Sequence, residues 1–363
     1  MKRILAIIVF SALCFADVFS QRYAKVDSVM LTIPAKKTRT VEDLAEFINS
    51  KFSDKTDKLR AMYVWMARNI KYDVENMYRG IIFHNIEEVE QRTLNSRKTI
   101  CFGFTATYKA VMEKCGITVR VISGYVKNRE GIAVENLSHS WCAVNFGNEW
   151  RIIDPTWGSG YVDDNNNYVA RINDKHFLSD PSVYYERAVP FDPMWSFSYF
   201  PINNSEFYAG KSADSSTSRF FNFNDSIAAY DRMSERDRAA SAGRRIERSG
   251  VVNNLIREHL DRNAKTVETF DYNSAVDDYN QAVKIFNQAA RLFNDFINFR
   301  KGKSKLSSNE AYTLLVDAKT KLGEAAAALN DISGVVGKLR SSINEMRTAI
   351  SEMNQRIDEY LKL

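Results

Sequence analysis

A seven-residue apolar repeat in the last third of the chain narrows the choice of folds more than any other feature of the sequence. Leu315, Leu322, Leu329, Val336, Ile343, Ile350 and Ile357 recur every seven residues, and Ala318, Ala325, Ile332, Leu339, Met346, Met353 and Tyr360 each follow three residues later. An a/d seam sustained over this many heptads demands helices packed side by side along their length. Ser307 and Glu310 make a capping box at its start. An earlier stretch, Ala275, Tyr279, Ala282, Phe286, Ala289, Phe293 and Phe296, alternates steps of four and three, and an aromatic–Asn pair repeats every seven residues from Tyr272-Asn273 to Phe293-Asn294. The turn Lys301-Gly302-Lys303 predicts that these two segments fold back as an antiparallel hairpin, with residues 234–262 adding a third helix. The region is therefore an all-α helical hairpin or coiled-coil bundle. Residues 270–363 are also a candidate surface for a protein partner or for self-association, and periodicity does not distinguish pairing within one chain from pairing between chains.

The rest of the chain has a different character. Lys2-Arg3 followed by the apolar run Ile4–Phe15 reads as a signal peptide, too short to span a bilayer, with Val18 and Ser20 small enough for cleavage before Gln21. The competing readings are a buried N-terminal helix or lipid attachment at Cys14, the latter opposed by bulky Leu13 just before the cysteine. The expected organisation is signal 1–20, a mixed domain 21–200, a Ser- and Asn-rich connector 201–230 and the helical region 231–363. The expected destination is the periplasm or the medium, with no transmembrane segment in the mature chain. The net charge of +5 comes without a long Lys/Arg block, so nucleic acid is not an indicated partner.

Within 21–200, helices come first: one capped by Thr40, with Asp43 positioned to close a box, one capped by Ser53 or Asp54 with the stripe Leu59, Met62, Trp65, Met66 and Ile70, and one from Cys101 to about Lys114. Strands follow near 119–124, 138–146 and 149–153, the last two joined at Gly147-Asn148. Helices followed by an antiparallel meander indicate an α+β domain.

Three residues in this domain carry candidate chemistry. Cys101 opens a helix, where the dipole favours thiolate and free N–H groups can meet an oxyanion. His139 is the one histidine of His84, His139, His176 and His259 on a strand downstream of that cysteine. Asp154 ends the next strand, where a hairpin can bring it beside His139 to orient the imidazole. Each has an ordinary alternative: a structural cysteine, a packed histidine, a turn aspartate before Pro155. Cys101, Cys115 and Cys142 remain once Cys14 is removed, an odd number that implies a free thiol, with a Cys115–Cys142 bridge open. Tyr125 and Trp157 are candidate walls of a substrate cleft, against a core-packing alternative. Nothing calls for a cofactor or metal: Asp163-Asp164-Asn165-Asn166-Asn167 lacks calcium-loop spacing and reads as a hairpin turn.

The words around these residues resemble the transglutaminase-like superfamily, within it most the branch of the kyphoscoliosis peptidase and cytokinesis proteins. The resemblance rests on Lys58–Asp73 ending in Tyr72-Asp73, on Cys101-Phe102-Gly103-Phe104, on His139-Ser140-Trp141, on Asp154-Pro155-Thr156-Trp157-Gly158, and on Phe177–Pro181 with Pro190 and Trp195; it covers about residues 40–200. It implies a papain-like α+β fold, a Cys101-His139-Asp154 triad, and a cysteine peptidase or amidase acting on protein or peptide carboxamides. A protein-crosslinking transglutaminase and a non-catalytic binding module are the alternatives. The chain departs from the family's pattern at Thr99-Ile100 (usually Gly-Val), at Cys142 (usually Asn) and at Ala188-Val189, where a His often precedes the proline. The family's oxyanion-hole side chain has no assigned counterpart upstream of Cys101.

Overall fold

A computed structural model of the chain describes residues 23–77, 85–128, 130–147, 149–211, 219–330, 332 and 338–362. The expected signal peptide, Cys14, His84, the turn residue Asn148, the Ser-rich stretch 212–218 and Val336 of the heptad seam lie outside these residues. The chain divides into two compact units. The first takes in the residues up to Met233 together with Ser241–Asp261, and the second Ser234–Ala240 together with Arg262–Leu363.

The first unit is α+β. Its helices α1 (Val41–Lys51) and α2 (Lys55–Asn69) begin where side-chain oxygens can satisfy first-turn N–H groups: Thr40 accepts from Asp43 N, and Asp54 accepts from Thr56 N and Asp57 N. The Thr40 box is half formed, because only its first bond is made and the Asp43 side chain is one methylene shorter than glutamate. A two-residue strand β1 (Lys71–Tyr72), a helix α3 (Ile86–Ser96) and a strand β2 (Lys98–Thr99) parallel to β1 lead into α4 (Cys101–Lys114). The main sheet follows as β3 (Arg120–Lys127), β4 (Ala133–Asn145) and β5 (Trp150–Ile153). Beyond it come the hairpin β6 (Gly160–Val162) and β7 (Tyr168–Ala170), a short helix α5 (Pro181–Tyr184) and an edge strand β8 (Ala188–Pro190). The sheet order is β5-β4-β3-β8, antiparallel throughout.

Alternation along these strands separates two apolar layers. Cys142, Val144 and Ile153 pack with Leu44, Ile48, Leu59, Trp65, Tyr108 and Val111 of α1, α2 and α4, while Ile122, Trp141 and Ile152 pack with Tyr184 and Ala188 on the other face. Burial of each large apolar side chain contributes about 1.5–3 kcal/mol. Cys115 and Cys142 are both buried and free, in contact with different backbone carbonyls, those of Ala45 and Thr105.

Residues 201–230, expected as a connector, carry two helices, α6 (Asn204–Tyr208) and α7 (Phe223–Arg232). Polar composition concealed them, but Asn203 and Glu206 form a full capping box, and Phe207, Phe223 and Ile227 are buried anchors. Next come α8 (Glu235–Ser249) and the 47-residue α9 (Asn254–Arg300), so the expected helix across 234–262 is interrupted at 250–253.

In the second unit the long heptad run is not one helix. It is carried by α10 (Ser308–Asn330) and α11 (Lys338–Leu361), so the expected two-segment hairpin is a three-helix bundle. The Lys319–Asp358 ion pair and the Arg347 bond to the Leu329 carbonyl run in opposite directions along α10 and α11, which makes the two antiparallel. Ala282, Ala289 and Phe293 of α9 share one core with Leu315, Leu322 and Leu329 of α10 and Ile343, Ile350 and Ile357 of α11. The Ser307–Glu310 box forms as expected. No helix among the described residues is long and apolar enough to cross a membrane.

Candidate active site

Cys101 is the first residue of α4 and is half-buried. The preceding Ile100 holds an extended backbone and brings no side-chain acceptor to the helix start. Among the described residues no side chain caps this helix start, so the first-turn N–H groups of Cys101, Phe102 and Gly103 point out of the helix, the arrangement that suits a developing oxyanion. Gly103 is dictated by crowding: a Cβ there would fall 1.9 Å from the Thr99 hydroxyl, so any larger residue would displace the segment that carries Cys101.

His139 sits on β4, and Asp154 directly follows β5. Pairing of the two strands brings them together: His139 Nε2 lies 2.8 Å from Asp154 Oδ2. Asp154 is fully buried, and three further donors reach it. The Tyr184 hydroxyl donates to Oδ2 at 2.9 Å, and the backbone N–H groups of Thr156 and Trp157 donate to Oδ1 at 2.9 and 3.0 Å. With Nε2 turned to the carboxylate, Nδ1 is the ring nitrogen left for the thiol. The Trp157 indole stacks on the imidazole, centroids 4.6 Å apart and planes 15° from parallel, and keeps water from that face of the pair.

The electrostatics follow from this packing. Burial opposes charge on all three groups, and in each case its neighbours outweigh it. Burial would push the His139 imidazolium down, but the charge and hydrogen bond of Asp154, joined by Cys101, push it up to about 10. Burial would raise the Cys101 thiol, yet hydrogen bonding to His139 and its charge, then Ser140, hold it below the ordinary thiol value. Asp154 is likewise held below the usual carboxylate range by His139, against the cost of burial. Tyr184 stays protonated, because burial and the Asp154 charge push its phenol well above its ordinary value. All three shifts favour the same form of the site, a thiolate beside an imidazolium backed by an ionised carboxylate.

A cavity of about 670 Å³ opens onto His139, walled by Trp157, Tyr72, Tyr161, Tyr168 and His176. The fold thus brings Cys101, His139, Asp154 and Trp157 to one place. Tyr125 is elsewhere. It follows Gly124, which registers with His139, so its side chain takes the opposite face of the sheet. There it is fully buried against Phe191 and Phe207 and donates a hydrogen bond to Asn204 Oδ1 at 2.8 Å, a core residue and not a cleft wall. Sequence reasoning passed over Tyr184, Ser140 and His176. Nothing local marks Tyr184 or Ser140; His176 had a weak signal in being one of four histidines. The Asp163–Asn167 segment is a hairpin turn between β6 and β7, with Asp163 accepting from Asn165 N and Asn167 N.

Residues 42–155, which hold all three of these site residues, match the model of the Transglutaminase-like superfamily. The chain is similar to the kyphoscoliosis peptidase of Mus musculus, 25% identical over 176 residues, covering 46% of this chain and 25% of that one. It is also similar to Hillarin of Drosophila melanogaster, 20% identical over 203 residues, covering 51% of this chain and 24% of that one. It thus spans about a quarter of the length of these curated relatives. Among solved structures, the periplasmic domain of TgpA from Pseudomonas aeruginosa aligns at 16% identity and a TM-score of 0.28, covering 37% of this chain and 47% of that one.

Proposed function

The chain carries a transglutaminase-like domain, and on that premise we propose that it is an exported thiol-dependent acyl-transfer enzyme, a cysteine peptidase or amidase that uses Cys101, His139 and Asp154. The observation that carries this reading is the His139 Nε2–Asp154 Oδ2 bond of 2.8 Å, which leaves the other ring nitrogen for the Cys101 thiol. A merely structural histidine would not need a carboxylate sealed from water and held by four donors.

In the proposed cycle the Cys101 thiolate attacks the carbonyl carbon of a carboxamide, and the negative charge moves to the carbonyl oxygen, facing the uncapped N–H groups of α4. The C–N bond breaks as the His139 imidazolium gives its proton to the departing amine, leaving an acyl-thioester and a neutral imidazole. His139 then takes a proton from water, the hydroxide attacks the thioester, and the carboxylic acid departs as thiolate and imidazolium are restored. Asp154 stays ionised throughout and stabilises the imidazolium.

Labelling with a neutral, thiol-reactive amide mimic tests the reading. Native protein should label and Cys101→Ala should not; equal labelling of the two would sink the catalytic reading. If labelling depends on Cys101, adding a primary amine together with an amide substrate separates the acceptors: incorporation of the amine identifies a transglutaminase, and its absence alongside acid product identifies a hydrolase.

A further inference from the structure

The cavity beside His139 is lopsided in charge. Arg171, Lys175 and Arg187 all line it, and among the described residues none of the three makes an ion pair. All three are exposed, so their heads are available to a ligand. Among the described residues Asp174 is the one acidic side chain that lines the cavity, and it is already engaged at 2.6 Å by Arg60, which also binds Asp27 at 2.7 Å. Asp154, behind His139, is buried and bonded to it. The other walls are aromatic: Tyr72, Trp157, Tyr161 and Tyr168.

We propose that this cleft selects acidic peptide segments, with Asp or Glu side chains close to the carbonyl that Cys101 attacks. The inference rests on the catalytic reading for the identity of that carbonyl, but the charge preference follows from the cleft itself. A concave site in which cations outnumber anions concentrates ligands of negative charge, and three cations without an ion-pair partner among the described residues, against the one carboxylate of Asp174 that Arg60 already holds, favour a carboxylate-bearing ligand. The Tyr and Trp walls give an extended peptide apolar surface between those carboxylates. Lys175 and Arg187 lie near enough to His176 for their charges to disfavour its protonation, which places them on the side of the cavity where that imidazole sits. A neutral or basic peptide would leave all three cations uncompensated on binding.

The test uses full-length protein with Cys101→Ala, so that nothing turns over, and two fluorescent peptides identical except for Glu against Gln on both sides of a central amide. The Glu peptide should bind roughly tenfold tighter at low salt, the combined effect of three weak exposed ion pairs, and the advantage should shrink at high salt. The double substitution Arg171→Gln with Arg187→Gln should cut the difference to about twofold, the share of the remaining Lys175. A control pair in the second unit, Lys303→Gln with Lys305→Gln, should leave it intact. If circular dichroism shows the double cleft variant unfolded, Lys175→Gln is read in its place and should reduce the preference about twofold. Equal affinity for the two peptides, binding of neither, or a preference undiminished by the cleft substitutions would overturn the proposal. Labelling of native Cys101 by the neutral probe judges the catalytic reading separately, so each idea can fail without the other.

Discussion

A carboxylate cut off from water remains an anion only if donors surround it, and Asp154 has four: His139, Tyr184 and the N–H groups of Thr156 and Trp157. That determines how the site should respond to pH. His139 is raised above its ordinary value, so its charge stabilises the fold fully below about pH 6.5 and that contribution is lost as pH rises through about 10. Asp154 is lowered, so its contribution is present above about pH 3.9 and is lost as pH falls through its depressed value. The rate of Cys101 labelling should accordingly hold across neutral pH and change on the alkaline side near 10; a stopped-flow pH profile reads this directly. Asp154→Asn should cut kcat/KM by about 10²–10⁴-fold and move the alkaline limb to lower pH, since the main partner that raises His139 is gone. Tyr184→Phe removes one hydrogen bond to a charged acceptor and should cost about tenfold in kcat/KM with little change in KM.

At the scale of the element, α4 and the hairpin β4–β5 do most of the positioning. Gly103→Ala would drive a methyl group into the Thr99 hydroxyl at the start of α4. It should lower labelling of Cys101 by more than tenfold and destabilise the fold by about 1–3 kcal/mol, measured by probe kinetics and urea unfolding. These elements were the legible ones. The start of α4 at Cys101, the turn glycine Gly147 and the position of Asp154 after β5 follow from local chemistry: a helix face, a left-handed glycine, strand alternation. What local chemistry does not encode is which distant residue closes a contact. Tyr184 reaches Asp154 from 30 positions away, and Ser140 meets Cys101 only because β4 packs against α4. Tyr125 could be placed on the wrong side because the sequence shows that strand residues alternate but not which face holds the cleft. The same limit explains the helical region. The seven-residue period marks the buried stripe: among the described residues its a/d positions are buried from Leu315 to Ile332 and at Leu339, Ile343, Ile350 and Ile357, with Met346, Met353 and Tyr360 half-buried, yet a period does not say where the stripe doubles back.

For the whole molecule, two compact units imply separable responses. Leu322→Ala removes a fully buried side chain from the three-helix core and should cost about 2–5 kcal/mol there. Calorimetry should show a lowered transition while Cys101 labelling at room temperature is unchanged; loss of labelling would mean that the units depend on each other. Export is tested by sequencing the N-terminus of protein recovered outside the cytoplasm, which should begin at Gln21.

The Tyr184–Asp154 contact has a kinetic consequence as well. The groups that make the thiol reactive come from α4, β4, the residues after β5 and α5, spread between Cys101 and Tyr184. Segments that far apart meet late, after the loops between them have closed. During refolding from denaturant, then, helical signal should return first and probe-reactive thiolate last. The nucleophile would serve as a clock on the final step of assembly, unreactive in every partly folded form that has not yet brought its carboxylate home.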